Sequence, residues 1–557
     1  MNRARFHFAL TPFVVALLGA APIALFGCDD DANTTTDSGT HDGGTDGEVI
    51  THDGGDEDAS ITKYAVGGTV TGLEGTLTLT AGDDAELTLT DNGSFAFDDA
   101  LADGTSYEIT IGSAPGVQTC TLENGTGTVD GADVTDIAVV CEDLLFFSAT
   151  DGILGVELWV TDGTTAGTRL VADIVEGSGD SYPYQFKNVG GYVYFSAEDA
   201  THDRELWRTD GTEAGTTRVA DLRANGSSYP DGMVAVGDKL VVRAYLNDSQ
   251  VSLFVYDGTN APIVLNEGLA VGGPPVAMNG RVYFAADDGQ GAGMELWSTD
   301  GTVSGTGLVK DIRDGAPSSG PDGLAVLGNS LVFSCDAGEG RELCITDGTE
   351  NGTHVVKDIR AGSAGSNPTY LVPIAAGVVV FFANDGSGTH VWRSDGTENG
   401  TYEITNFSLG NYGQARAAWG LAFFALQEPT YGNELWVTDG TVIGTHVLDV
   451  RTGSSGSNPA VFETTGDLLC FRANDGTHGY EPWCTDGTQL GTALVKDINA
   501  SGDGTPGYTF GARRGHTFFF ADDGTHGLEP WVSDGTEAGT RMLKDIWPGS
   551  DSSIIEE

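Results

Sequence analysis

Along most of this chain apolar residues come in short alternating runs, each broken by a glycine-rich turn. Leu77-Thr78-Leu79, Leu87-Thr88-Leu89, Phe95-Ala96-Phe97 and Tyr107-Glu108-Ile109-Thr110-Ile111 have the period of half-buried strands. Asp91-Asn92-Gly93 and Asp103-Gly104 supply the turns between them. Six or seven such strands predict a small Ig-like β-sandwich over residues 64–141. No long stretch beyond the N-terminus has helical periodicity, so the whole chain is expected to be all-β.

From Leu144 the pattern becomes a repeat. Glu157-Leu158-Trp159-Val160-Thr161-Asp162-Gly163-Thr164 recurs with small changes, its Asp-Gly-Thr beginning at Asp162, Asp210, Asp257, Asp300, Asp347, Asp395, Asp439, Asp486 and Asp534. A regular period of this size means a solenoid, propeller or array. The motif resembles the bacterial ELWxxDGT repeat family, which implies extracytoplasmic proteins with β-propeller-like repeats and no agreed activity.

One unit read by itself leads to the same fold. Tyr192 to Ala197, Glu205 to Thr209, Thr217 to Leu222 and Met233 to Val236 are four short apolar strands, the content of one propeller blade. Trp159, Trp207, Trp297, Trp392, Trp436, Trp483 and Trp531 share one phase, with Phe254 and Cys344 in the same slot. A large apolar residue once per unit suits packing between blades. The expectation is a β-propeller-like array of about nine four-stranded repeats (eight or nine blades) over residues 142–557. The C-terminal segment would complete the first blade and close the ring. Eight blades, two rings and an open superhelix are the alternatives, with the third unit the most degenerate.

The N-terminus adds a location. Arg3 and Arg5 precede an apolar run that ends at Cys28, the layout of an export signal. Leu25-Phe26-Gly27-Cys28 resembles a bacterial lipobox, although Phe26 stands where a small residue is usual. The resemblance implies a lipoprotein signal peptide over residues 1–27 and lipidation of Cys28; an uncleaved membrane helix is the alternative. Residues 29–62 then carry eleven acids and no Lys or Arg, so residues 28–63 read as a disordered acidic tether. The other six cysteines fall into close pairs, Cys120 with Cys141, Cys335 with Cys344 and Cys470 with Cys484. Three local disulfides in an oxidising compartment are expected.

Composition narrows the partners. A net charge of −55 would repel nucleic acid. No G-x-S-x-G, H-E-x-x-H, Walker A or dinucleotide fingerprint occurs, and the chain is expected not to be an enzyme. Calcium is the candidate ion. Asp287-Asp288-Gly289, Asp385-Gly386, Asn474-Asp475-Gly476 and Asp522-Asp523-Gly524 place hard oxygen ligands on tight loops, with Glu295, Glu481 and Glu529 following. His202, His478 and His526 share that loop and read as exposed turn residues. Glu157, Glu205 and Glu434 read as recurring structural acceptors. The repeat breaks in two places, the third unit from Tyr245 to Pro275 and the end of the sixth. The second break brings together Tyr412, Arg416 and Trp419, an aromatic and cationic set suited to a sugar or an acidic ligand.

These readings combine into a monomeric, lipid-anchored protein of the outer membrane or cell surface. It would act as a non-catalytic binding or adhesion module for glycan or protein ligands. A polysaccharide-acting enzyme with its site in the propeller funnel and a structural envelope component are the alternatives.

Overall fold

The second strand of each repeat is apolar on both faces, so it demands burial from two sides, and stacking sheets around an axis supplies it. The computed structural model describes residues 62–557 apart from Asp83, Asp84, His202, Ala375, Ala376, Asn406, Asn411, Pro506, Tyr508 and 555–557; it does not describe the side chains of Tyr412, Val461 and Phe462. The expected signal peptide, Cys28 and nearly all of the tether lie outside the described residues, as does His202.

The described chain is all-β. Its repeats form nine antiparallel sheets, here blades 1 to 9 in chain order. Blade 2 is representative, with strands Tyr184–Val189, Tyr192–Asp199, Asp203–Thr209 and Thr217–Ala220 laid side by side in that order. Trp207 pairs across the sheet with Phe195. Both pack into one core with Phe146, Leu158 and Val160 of blade 1. Burying one such ring at an interface contributes roughly 3 kcal/mol, which makes the tryptophan phase the main adhesive between blades.

The Asp-Gly-Thr-x-x-Gly-Thr motif follows from its hydrogen bonds. Asp210 Oδ1 accepts from the Thr212 backbone N–H at 3.0 Å and the Thr212 hydroxyl at 2.6 Å, while Thr212 Oγ1 accepts from Gly215 N–H at 3.0 Å. Gly211 holds φ of 88°, open to glycine at little cost. A Cβ on Gly215 would stand 1.9 Å from Asp210 Oδ1. Each letter of the motif therefore has a steric or hydrogen-bonding cause.

The ring closes. First strands of successive blades contact one another all the way round, and blade 9 meets blade 1. Blade 1 has three strands, Leu145–Thr150, Val156–Thr161 and Arg169–Ala172. Ser553 N–H donates to Leu528 O of blade 9 at 2.9 Å, and its carbonyl accepts from Thr150 N–H of blade 1 at 2.7 Å. Phe147 stacks on Phe510 across the same seam at 4.7 Å. Nine blades in one ring replace the eight-bladed, two-ring and superhelical alternatives. The last strand of blade 3 is reduced to Ile263–Val264, as those of blades 6, 8 and 9 are to two residues each. Blade 4 takes an extra short strand, Ala270–Val271, beside its own.

Ahead of the ring, two four-stranded sheets form the sandwich. They share one core containing Val66, Leu77, Leu79, Ile109, Ile137 and Val139. The three expected disulfides are present. Cys120–Cys141 and Cys470–Cys484 join residues directly opposite on neighbouring strands.

Strand direction alternates within a blade, so the ring has two unlike ends. Turns between first and second strands, and the Asp-Gly-Thr turns, emerge at one. Hairpins between second and third strands, and the linkers between blades, emerge at the other. The sandwich sits on the first. Asn188 Nδ2 donates to Asp143 Oδ1 at 2.7 Å, and Arg514 pairs with Glu142. The backbone of Gly116 lies so close to Gly211 that a Cβ there would come within 2.1 Å of its carbonyl oxygen. The linker end carries no sandwich contact among the described residues.

Candidate ligand-binding face

The acidic loops expected to hold calcium lie at the linker end and satisfy themselves. Asp287 Oδ1 accepts from Gly289 N–H, Asp288 Oδ1 from Gln290 N–H and Asn474 Oδ1 from Gly476 N–H. Asp522 Oδ1 accepts likewise from Gly524 N–H. Asp385 takes the backbone and hydroxyl of Ser387. Asp475 and Asp523 each bind the ring of a following histidine, His478 and His526, at 2.8 Å. That contact raises both imidazole pKa values and, with backbone donors, lowers those of the aspartates despite burial. Glu295, Glu481 and Glu529 turn away from these loops. Among the described residues no group of three or more His, Cys, Asp or Glu is placed to hold a metal ion.

The repeated glutamate is a buried tie between third strand and linker. Glu205 accepts from Leu222 N–H at 2.9 Å, Ser228 N–H at 3.1 Å and Ser228 Oγ at 2.6 Å. The same arrangement recurs at Glu157, Glu295, Glu342 and Glu434, each taking a serine hydroxyl at 2.5 to 2.7 Å. Burial pushes Glu157, Glu205, Glu481 and Glu529 up to about 7, against the hydrogen bonds that pull them down. Glu295, Glu342 and Glu434 are raised for the same reason. Identical groups in separate blades do not converge on one substrate, which is the geometry of a fastener rather than of an acid catalyst. Acids on the channel-lining first strands do not converge either. Asp231 pairs with Arg243 and Glu463 with Arg416, while Asp322 begins the first strand of blade 5.

Tyr412, Arg416 and Trp419 run along the first strand of blade 7, Tyr412–Ala418, and into its turn. Arg416 is held by Glu463 of blade 8 at 2.9 Å, and Trp419 Nε1 donates to Gly466 O at 3.1 Å. Both therefore bridge neighbouring blades, and Trp419 sits at the sandwich end.

A different cluster occupies the linker end. Five linkers enter their blades through Ser-x-Pro, and x adopts positive φ: 42° at Tyr182, 45° at Tyr229, 54° at Gly320, and 49° at Asn367 and Asn458. Glycine and asparagine tolerate this conformation, whereas a bulky residue there is strained. The two tyrosines stand on adjacent linkers around a cleft of roughly 480 Å³ completed by Tyr184, Glu198, Arg204 and Ile554. Tyr229 is 49% exposed and meets the 38% exposed Tyr245 edge-on at 6.2 Å. Arg204, only 6% exposed, stacks over Tyr184 at 4.7 Å. It also binds Glu198 at 2.8 Å and the Tyr182 carbonyl at 2.9 Å. Tyr245 and Glu198 share a phase that Asp336, Asn384, Asn474 and Asp522 hold elsewhere. These departures from the repeat collect on two neighbouring blades and one face. The sequence marked Tyr245 as a break but left Tyr182 and Tyr229 unnoticed. Aligning the Ser-x-Pro linkers would have exposed them.

These features define a closed nine-bladed propeller with a sandwich set against blades 9 and 2 at one end and a tyrosine-lined cleft at the other. No family model matches the chain, and none of the curated proteins compared is similar to it. Among solved structures it is similar to puromycin hydrolase, at 15% identity over 67% of this chain and 61% of that one, with a TM-score of 0.35. It is similar to the computationally designed Ika8 protein, at 16% identity over 65% and 95%, TM-score 0.35. The β-propeller domain of the Trilobed protease from Pyrococcus furiosus gives 13% identity over 57% and 98%, TM-score 0.33. The chain spans about three fifths of the length of the puromycin hydrolase chains it matches.

Proposed function

We propose that this protein is an extracytoplasmic binding module of the ELWxxDGT repeat kind, held to the outer membrane or cell surface by lipid on Cys28, and that it works as a monomer without catalysis. The single observation that carries this reading is the tyrosine cleft at the end of the propeller opposite the sandwich. Exposed tyrosines in a concave site give large contact area at low entropic cost. The three disulfides and the lipobox-like sequence favour an oxidising compartment.

The test is metabolic labelling with an alkyne palmitate, followed by cell-surface protease protection. Labelling that disappears in Cys28→Ser, with the wild-type protein cleaved on intact cells, is the expected result. Unlabelled protein, or labelled protein protected until the envelope is broken, removes the surface assignment.

A further inference from the structure

We infer that the cleft between blades 1, 2 and 3 binds a neutral saccharide chain; this inference rests on the binding-module reading and names its ligand. Three observations lead there. The first is the aromatic lining. The apolar C–H face of a pyranose matches a tyrosine ring, whose π-face is electron-rich. Tyr182, Tyr184 and Tyr229 line the cleft, and Tyr229, 49% exposed, has Tyr245 beside it. Their edge-on contact at 6.2 Å sets one ring against the other and stiffens both.

The second observation is charge. Arg204 is the cation lining the cleft, and it is engaged with Glu198 and the Tyr182 carbonyl. A phosphate, sulfate or uronate would find no free positive partner there, in a chain whose net charge is −55. What the rim presents instead is acceptors. The Glu198 side chain is 39% exposed, and Asp180 already takes the Tyr182 hydroxyl at 3.0 Å. Such groups suit a ligand rich in hydroxyl donors and free of charge.

The third is size. A cleft of roughly 480 Å³ falls in the range of small-ligand pockets and accommodates one or two sugar rings. It is too small to seat a protein, whose stable interfaces bury on the order of 1,600 Å². Tyr182 and Tyr229 stand at the same repeat position on adjacent linkers, so a chain of like units crossing the two blades would meet like contacts.

The experiment uses the full chain with Cys28→Ser on an array of neutral and anionic oligosaccharides, with parallel pull-down from intact envelopes. Binding confined to neutral glycans, weakened at least tenfold by Tyr229→Asn and by Tyr182→Asn but unchanged by Tyr370→Asn, is the expected result. Tyr370 is the control because it is equally exposed at 48% with positive φ, yet lies on blade 6. Asparagine serves the same backbone position at Asn367 and Asn458, so these variants fold. Glycan binding that survives both linker substitutions overturns the site. A blank neutral panel with a protein partner captured through Tyr229 overturns the saccharide and leaves the binding module standing. No capture of either kind overturns both.

Discussion

In blade 6 the position held by a buried glutamate in seven other blades is His390, 7% exposed, with Nδ1 3.0 Å from Glu403 and Nε2 3.1 Å from Ser387. One blade on, Arg416 and Trp419 reach across to blade 8. Every departure from the repeat in this region is answered by a partner inside the ring. In blades 2 and 3 the departures gather around one cleft. Their substitutions put Tyr229 and Tyr245 into solvent, and Tyr182 and Tyr229 into a backbone conformation that costs of order 1–3 kcal/mol each. Trp419 is also exposed, at 44%, with φ of 49°, but its indole N–H is taken by Gly466 O of the next blade. Rings gathered around one cleft need an outside reason that a single ring tied to its neighbour does not. The contrast teaches where to look on a repetitive scaffold, and four tests press on it.

The largest effect is expected from cutting the fastener. Glu205→Ala removes the acceptor for two backbone N–H groups and a hydroxyl in an interior that offers no replacement. A loss of about 3–5 kcal/mol follows. His390→Ala loses fewer bonds and should lose about half as much. Urea midpoints of the two variants measure the difference, and equal losses would mean that blade 6 has rebuilt the fastener rather than abandoned it.

Next in size is the effect of removing the ligand-facing rings, the tenfold or greater loss of glycan affinity in Tyr229→Asn. Arg416→Gln is its counterpart in the other break. That substitution should leave binding untouched and lower stability by about 1–2 kcal/mol, because Arg416 is 43% exposed while its partner Glu463, only 19% exposed, is left without its cation. Titration of the tightest array ligand against both variants separates the two breaks. Equal loss of affinity would erase the distinction between them.

A smaller effect belongs to pH. The raised glutamates hold protons in the folded ring that the unfolded chain has released above its ordinary 4.5. Folding therefore takes up protons between about pH 4.5 and 7, and stability falls as pH rises across that window. The Asp-Gly-Thr aspartates work the other way. Asp300, Asp347, Asp395, Asp486 and Asp534 are lowered by their threonine hydrogen bonds, so their contribution is present above an ordinary 3.8 and lost below it. Calorimetry should give a higher Tm at pH 5 than at pH 8 by a few degrees, and a decline again towards pH 3. A Tm that rises from pH 5 to 8 would show that the glutamates stay charged in the ring.

The fold was legible because each blade repeats its causes. Spacing, the tryptophan phase and the C-terminal echo of earlier linkers predict the ring, and local cysteine pairs predict the disulfides. The loops around Asp475 and Asp523 are not legible in sequence because a turn-forming aspartate and a cation ligand have the same chemistry; in the structure the loop's own N–H groups reach the oxygens. The Tyr182 and Tyr229 site was hidden for another reason. A tyrosine before proline is unremarkable until its φ is known, and strain leaves no mark in composition.

That strain makes the last and smallest prediction. If Tyr229 is kept for packing, Tyr229→Asn should destabilise the ring, as loss of a half-buried aromatic ordinarily does. If it is kept for a ligand, the substitution relieves a conformation that asparagine holds at Asn367 and Asn458 with φ of 49°. Stability should then rise by up to about 1 kcal/mol, the relief of a strained positive-φ side chain less the edge-on contact with the exposed Tyr245. The same change at Tyr370, whose ring packs edge-on against Phe382 at 5.7 Å, removes strain and packing together and should come out near zero. Urea denaturation in the absence of ligand measures both. A stabilised Tyr229→Asn that has lost its ligand would be a trade of function for stability at one residue, and a destabilised one would return blades 2 and 3 to the same class as blades 6 and 7.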